Sequence, residues 1–201
     1  MTAEITTDVN RPNVPTGGTT ITAEVDVEPG AKQERVQRHI ALCIDASGSM
    51  GGSKIERARD GASWVFGLLE DDDELSAGGG TNMFDGLETA QNALQALDMR
   101  DDATEGTAVR RILLLSDGKD KHNDPADFEY LAGDIDESGI RVESAGIGDD
   151  YNEETIRTLG TTARGEWTHL EAPGDIEDFF GEAVEQAKHV VAPDAQLELD
   201  V

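Results

Sequence analysis

The sequence has one cysteine, few aromatic residues and no long apolar run. Aromatic residues make up 4% of the 201 positions. The single cysteine, Cys43, excludes an internal disulfide, and its place in an apolar stretch predicts a buried packing thiol. No apolar segment approaches the ~20 residues that a membrane-spanning helix needs. The first residues lack the basic and apolar regions of a signal peptide, so we expect a cytoplasmic location.

Positive charge is also scarce. The chain carries 16 Lys and Arg against 43 Asp and Glu, which gives a formal net charge of −27. This balance disfavours nucleic acid and anionic lipid as partners. Abundant surface carboxylate with little lysine resembles halophilic proteins, whose self-repulsion is screened over ~3 Å at molar salt.

The two ends of the chain differ from its middle in the pattern of apolar and polar residues. Residues 20–28 alternate apolar and polar side chains, and residues 195–201 do the same, which is typical of strands with one solvated face. We therefore predict an N-terminal β extension over 1–38 and a C-terminal strand over 191–201, together forming a small β appendage. Two or three such strands do not make a stable sheet alone, which favours the interpretation that 191–201 begins a truncated β domain.

Residues 39–190 alternate predicted strands with predicted helices. This order indicates an α/β fold with a mostly parallel sheet flanked by helices. The predicted strands are 40–44, 111–117, 140–147 and 166–170, and the predicted helices are 54–69, 82–97, 125–138, 152–159 and 175–190.

The apolar strand at 40–44 ends at a carboxylate followed by two hydroxyls. Asp45, Ser47 and Ser49 alternate with small residues, so a loop leaving the strand can turn three oxygens toward one point. Oxygen donors of this kind suit Mg²⁺ or Mn²⁺. The alternative is an ordinary helix N-cap followed by glycine, and the segment alone does not decide between them.

Two further residues fall where the same site would need them. Asp117 ends the predicted strand at 111–117, and Thr81 follows three glycines just before a predicted helix. In parallel sheets, sites form where loops leave the carboxyl ends of adjacent strands. Thr81 also fits a helix N-cap and Asp117 an Asp-Gly turn, but all three features in order favour a site.

These residues carry a resemblance to a known family. Asp45-Ala-Ser-Gly-Ser-Met, Gly-Gly-Thr81 and Leu-Ser-Asp117-Gly resemble the von Willebrand factor type A (VWA) domain with its metal-ion-dependent adhesion site (MIDAS). The resemblance covers about 39–190 and implies a Rossmann-like fold. It implies Mg²⁺ or Mn²⁺ held by the residues that match the motif, which are Asp45, Ser47, Ser49, Thr81 and Asp117. It also implies one open metal position for a carboxylate of a protein partner, and hence a binding module and not an enzyme.

The chain departs from the family between the first helix and Thr81. The family has two strands there, whereas residues 70–80 hold one large apolar side chain. We therefore expect a shortened sheet of about four core strands with 40–44 at its edge. An exposed apolar edge favours self-association, unless a terminal segment covers it.

Three functions follow from this pattern. The first is an adaptor or adhesion module that binds an Asp or Glu of a partner, with an ATPase-associated complex as a candidate. The second is a structural metal site in an assembly protein. The third is a phosphohydrolase with Asp45 as nucleophile, but such enzymes need a second aspartate where this chain has Ser47.

Overall fold

The computed structural model describes residues 3–9, 23–29, 36–71, 73–80, 82–98, 108–117, 120, 123–149 and 151–190. The chain divides into two compact units, Met1–Arg35 and Val36–Val201. In the first unit, strand β1 (Ala3–Val9) pairs antiparallel with strand β2 (Ala23–Pro29). The strand predicted at 195–201 lies outside the described residues.

The second unit is built around a parallel sheet. Its strands are β3 (Gln37–Asp45), β4 (Glu74–Gly80), β5 (Ala108–Ser116), β6 (Arg141–Ile147) and β7 (Trp167–Leu170). Within the described residues, these five strands are all parallel and lie in the order β4-β3-β5-β6-β7. The prediction of an α/β fold with a mostly parallel sheet is confirmed.

Helices cover both faces of this sheet. They are α1 (Ser53–Leu68), α2 (Met83–Asp98), α3 (Pro125–Glu137), α4 (Glu153–Thr162) and α5 (Asp175–Lys188). Helices α1 and α5 pack on one face, and α2, α3 and α4 cover the other. No helix in the described ranges is both long enough and apolar enough to cross a bilayer.

The central strands are buried on both faces. In β3, Ile40 and Leu42 contact the core beneath α1 and α5, whereas Ala41 and Cys43 contact the core beneath α2 and α3. Successive strand residues point to opposite faces, so a strand between two helical layers is apolar over most of its length. This explains the continuous apolar runs, and Cys43 is buried as predicted.

The sequence predicts N-terminal caps at Asp124, which precedes Pro125, and at Asn152, and both helices begin there. The Asp124 side chain accepts hydrogen bonds from the backbone of Ala126 and Asp127, and Pro125 occupies the first helical position. Asn152 accepts from the backbone N–H of Thr155 at 3.3 Å. These contacts satisfy N–H groups that have no partner inside the helix.

The predicted strand number and edge are wrong. Residues 74–80 form β4, which pairs with β3 from His39 opposite Glu74 to Asp45 opposite Gly80. The sheet therefore has five strands among the described residues, and β4, not the 40–44 segment, lies at this edge. An edge strand is held by backbone hydrogen bonds, which require no apolar side chains, so apolar content was the wrong criterion for this segment.

The spacing of apolar residues in 54–69 predicts that one face of the first helix is buried, and this face comprises Ile55, Ala58, Ala62, Val65, Phe66 and Leu69. The structure corrects this prediction at one residue. Ala58 and Val65 are buried, but Phe66 is 72% exposed. The helix turns its Gly61 toward α5, where a β-carbon would lie 2.8 Å from the Phe180 ring. This close approach rotates the buried face away from Phe66.

Candidate metal centre

The first motif lies at the carboxyl end of β3. Asp45 is the last residue of the strand, and a single 3₁₀ turn (Gly48–Met50) follows before α1. The Met50 side chain is buried in the core, while Ser49 is exposed. The buried methionine therefore anchors a turn whose hydroxyl groups face outward.

Two hydrogen bonds orient the Asp45 carboxylate. Its Oδ1 accepts from the backbone N–H of Ser47 at 2.8 Å, and its Oδ2 accepts from the Ser116 hydroxyl at 3.1 Å. Ser116 ends β5, the strand next to β3. The carboxylate is thus fixed both by its own loop and by the neighbouring strand.

A chain of oxygen atoms connects the first motif to Asp117. The Ser47 and Ser49 hydroxyl oxygens lie 2.8 Å apart, and Ser49 Oγ donates to Asp117 Oδ1 at 2.7 Å. Asp117 directly follows β5, and its side chain has no exposed surface. Parallel pairing of β3 with β5 places these two strand ends side by side.

The second oxygen of Asp117 binds a cation of the same chain. Lys54 Nζ lies 2.5 Å from Asp117 Oδ2. Lys54 belongs to the first turn of α1, and 29% of its side chain is exposed. Both carboxylate oxygens of Asp117 are therefore engaged, one by a hydroxyl and one by an ammonium.

The structure brings together four of the five residues that the sequence predicts as metal ligands. Asp45, Ser47, Ser49 and Asp117 share the hydrogen-bonded cluster just described. Thr81 lies outside the described residues. Its predecessor in the chain, Gly80, pairs with Asp45 in the β3–β4 register.

The donor atoms of this cluster fit a hard divalent cation. They are carboxylate and hydroxyl oxygens, which Mg²⁺ and Mn²⁺ prefer over nitrogen or sulfur. No group of three His, Cys, Asp or Glu side chains able to hold a metal occurs in the described ranges. A metal at this cluster would therefore depend on two carboxylates supplemented by hydroxyl groups.

Sequence reasoning missed two residues of the cluster, Ser116 and Lys54. The sequence places Ser116 within a predicted strand and Lys54 at the start of a predicted helix, and neither position by itself indicates a contact with the cluster. A signal for Lys54 was available, because a cation in the first turn of a helix opposes the helix dipole and so suggests a nearby carboxylate. Neither contact could be located without the strand order, since Lys54 and Asp117 are 63 positions apart.

Comparison with known proteins gives a family match over more than half of the chain. A family model described as the von Willebrand factor type A domain matches residues 71–182. The match spans Thr81 and Asp117 but begins after the segment that contains Asp45.

Individual relatives are distant. An uncharacterized protein of Synechocystis sp. is 24% identical over 225 residues, covering 94% of this chain and 52% of that protein. A solved structure described as von Willebrand factor type A from Catenulispora acidiphila is 17% identical with a TM-score of 0.71, covering 92% of this chain and 50% of that one.

A third relative bears on the metal. Proximal thread matrix protein 1 from the mussel byssus, described with a zinc-occupied MIDAS motif, is 13% identical with a TM-score of 0.52. The comparison covers 74% of this chain and 46% of that one. The likeness to these two solved structures shows the fold alone, and the chain spans about half the length of each of these three relatives.

Proposed function

The chain belongs to the von Willebrand factor type A domain family, and on that premise we propose that it is a divalent-cation-dependent protein-binding module. The proposed metal ligands are Asp45, Ser47, Ser49, Thr81 and Asp117, directly or through water. One metal position stays open for an Asp or Glu side chain of a partner. In this proposal the domain binds and does not catalyse.

The observation that carries the proposal is the chain of oxygens from Ser47 through Ser49 to Asp117. Successive oxygens lie 2.8 and 2.7 Å apart, and they come from loops at the ends of adjacent strands. Two of the three belong to neutral hydroxyl groups, which accept a cation without further charge. Hydroxyl and carboxylate oxygens favour Mg²⁺ or Mn²⁺, while the zinc described in the mussel protein makes Zn²⁺ the competitor to test.

A partner for this module is expected to depend on metal and salt. The protein has a formal net charge of −27, so an acidic partner is repelled at low ionic strength. A bound divalent ion would supply the local attraction for a carboxylate, and salt would screen the remaining repulsion. An adaptor role beside an ATPase-associated complex fits these requirements.

Metal titration of the melting temperature tests the site. Mn²⁺ or Mg²⁺ at about one hundred times its Kd should raise the free energy of unfolding by about 2.7 kcal/mol. Asp45→Ala should abolish this gain because it removes one of two carboxylates. The matched control is Asp60→Ala, which makes the same charge change at an exposed position of α1. An unchanged metal response in Asp45→Ala would show that the site assignment is wrong.

Water proton relaxation of the Mn²⁺-loaded protein tests whether one metal position is open. Acetate, a bare carboxylate, should lower the relaxation enhancement by displacing metal-bound water, and uncharged acetamide should not. If acetate lowers the relaxation enhancement no more than acetamide does, the metal has no position accessible to a carboxylate, and the structural-metal role replaces the binding role.

A further inference from the structure

We propose that Lys54 is a built-in counter-cation of the metal centre, and that its ammonium lowers the affinity for the divalent ion by competing for Asp117. The inference rests on the proposed function, because it concerns the same cluster of oxygens. It adds a residue that sets how tightly the metal binds but is not itself a ligand.

The contact is direct and close. Lys54 Nζ lies 2.5 Å from Asp117 Oδ2, and the Asp117 side chain has no exposed surface. A buried carboxylate without a cation carries a large desolvation cost. In the metal-free protein, Lys54 offsets that cost, so the cluster does not need a divalent ion in order to fold.

The position of Lys54 also indicates that the contact is specific. A cation in the first turn of α1 is opposed by the helix dipole, so the attraction of the Asp117 carboxylate must outweigh an unfavourable location. The ammonium also approaches the end of β6, where a β-carbon added to Gly148 would lie 3.6 Å from Nζ. Gly148 has φ +81°, a backbone conformation that favours glycine and leaves this side of the ammonium uncrowded.

Metal binding then brings two cations to one carboxylate. An ion held by the Ser49 hydroxyl and the Asp117 carboxylate would share Asp117 with the Lys54 ammonium. Like charges repel, so the metal must either displace the ammonium or bind against it. Removing the ammonium should therefore strengthen metal binding and weaken the metal-free protein.

Calorimetric titration with Mn²⁺ tests this inference on the full chain. Lys54→Met should bind Mn²⁺ about tenfold more tightly than wild type, the order expected when a unit charge no longer opposes a double charge across a few ångströms of a water-like dielectric. Its melting temperature without metal should be lower than that of wild type. The matched control is Lys188→Met, which makes the same charge change at a residue whose partner is Glu185. It should keep the wild-type affinity.

Two further variants keep the test informative. Lys54→Gln retains a hydrogen-bond donor for Asp117 and gives the same comparison if methionine disturbs folding. Lys54→Arg retains the charge and should stay close to the wild-type affinity. If the neutral variants bind Mn²⁺ no more tightly than wild type, while Asp45→Ala still abolishes binding, the inference fails and the proposed function stands. If neither wild type nor the neutral variants bind Mn²⁺, both fail.

Discussion

The carboxylates at the two ends of the parallel sheet have different hydrogen-bond partners. Toward the amino end, arginines bind them: Arg111 Nη1 lies 2.8 Å from Glu143 Oε1, and Arg38 Nε lies 3.0 Å from Asp73 Oδ2. Toward the carboxyl end, Asp117 and Asp45 are bound by serine hydroxyls, a backbone N–H and one lysine.

The carboxylates at the amino end have fixed partners, whereas those at the carboxyl end have partners that a cation can replace. A guanidinium is permanently charged and presents a rigid set of donors that matches a carboxylate. Hydroxyl groups are neutral and can accept a cation as readily as they donate a hydrogen bond, and a lysine ammonium is a mobile point charge. The contacts at the amino end therefore hold strands together, whereas the contacts at the carboxyl end are of a kind that the proposed metal could replace.

The largest effect on stability is expected at the amino end. Arg111→Met should lower the free energy of unfolding by about 3–5 kcal/mol, because it leaves Glu143 buried without its partner. Both residues are buried, and Glu143 also accepts the backbone N–H of Glu166 at 2.7 Å. Chemical denaturation measures the loss, and the gain from saturating Mn²⁺ should be retained.

The control for this prediction is the double variant Arg111→Met/Glu143→Gln. It removes the unpaired charge and keeps an acceptor for Glu166, so it should recover much of the lost stability. A metal response that disappears in Arg111→Met would contradict the separation between the two ends.

A smaller effect is expected at Asp73 and depends on pH. Burial acts to raise the pKa of the Asp73 carboxyl, but hydrogen bonds from the Arg38 side chain and from the backbone of Glu70 and Arg38 outweigh it and hold that pKa below its ordinary value. A lowered folded-state pKa contributes stability that is present above about pH 4 and is lost as the pH falls through the folded value.

The isosteric variant Asp73→Asn tests this contribution. At pH 7 it should be less stable than wild type by about 1–3 kcal/mol, since it loses hydrogen bonds to a charged group. The difference should close as the pH falls below about 4, as followed by urea denaturation at each pH. A difference that stays constant over this range would mean that ionisation of Asp73 is not the cause.

The smallest perturbation uses Cys43 as a reporter, two residues before Asp45. Burial, with a further contribution from the Asp45 charge, raises the pKa of its thiol to about 12. At pH 8 a disulfide reagent should therefore label the native protein about a thousandfold more slowly than the unfolded protein, because the thiolate is the reacting form. Rapid labelling of the native protein would show that the carboxyl end of β3 opens. The hydrogen bonds of Asp45 and Asp117 at that end would then be weak as well as replaceable.

Most of the fold was predictable because the central strands must be apolar on both faces. Residues 40–44 and 111–117 are recognisable as buried strands for this reason, and the caps at Asp124 and Asn152 identify helix starts by local chemistry. The edge strand β4 was missed because its evidence is a backbone pairing with β3, which leaves no pattern in the side chains. Phe66 was misplaced because the direction of a helix face depends on which neighbour packs against it.

The candidate site was predictable where residues end strands and not where they meet across the fold. Asp45 and Asp117 follow apolar runs, so their neighbourhood follows from parallel pairing. Lys54 and Ser116 carry no comparable signal, because their hydrogen bonds depend on distances between separate elements. The site is asymmetric, because a hydroxyl binds one oxygen of Asp117 and an ammonium binds the other, and this asymmetry depends on how separate elements meet in the folded chain.

The length of strand β4 matters more to the candidate centre than its amino-acid composition does. Seven residues pair one for one with β3, ending with Gly80 opposite Asp45. Substitutions that keep an extended backbone would preserve this spacing, whereas deletion of one residue would shift the following chain by about 3.3 Å and reverse which side chains face each helical layer. The number of residues in 74–80, more than their identity, therefore sets where the chain that follows Gly80 begins relative to Asp45.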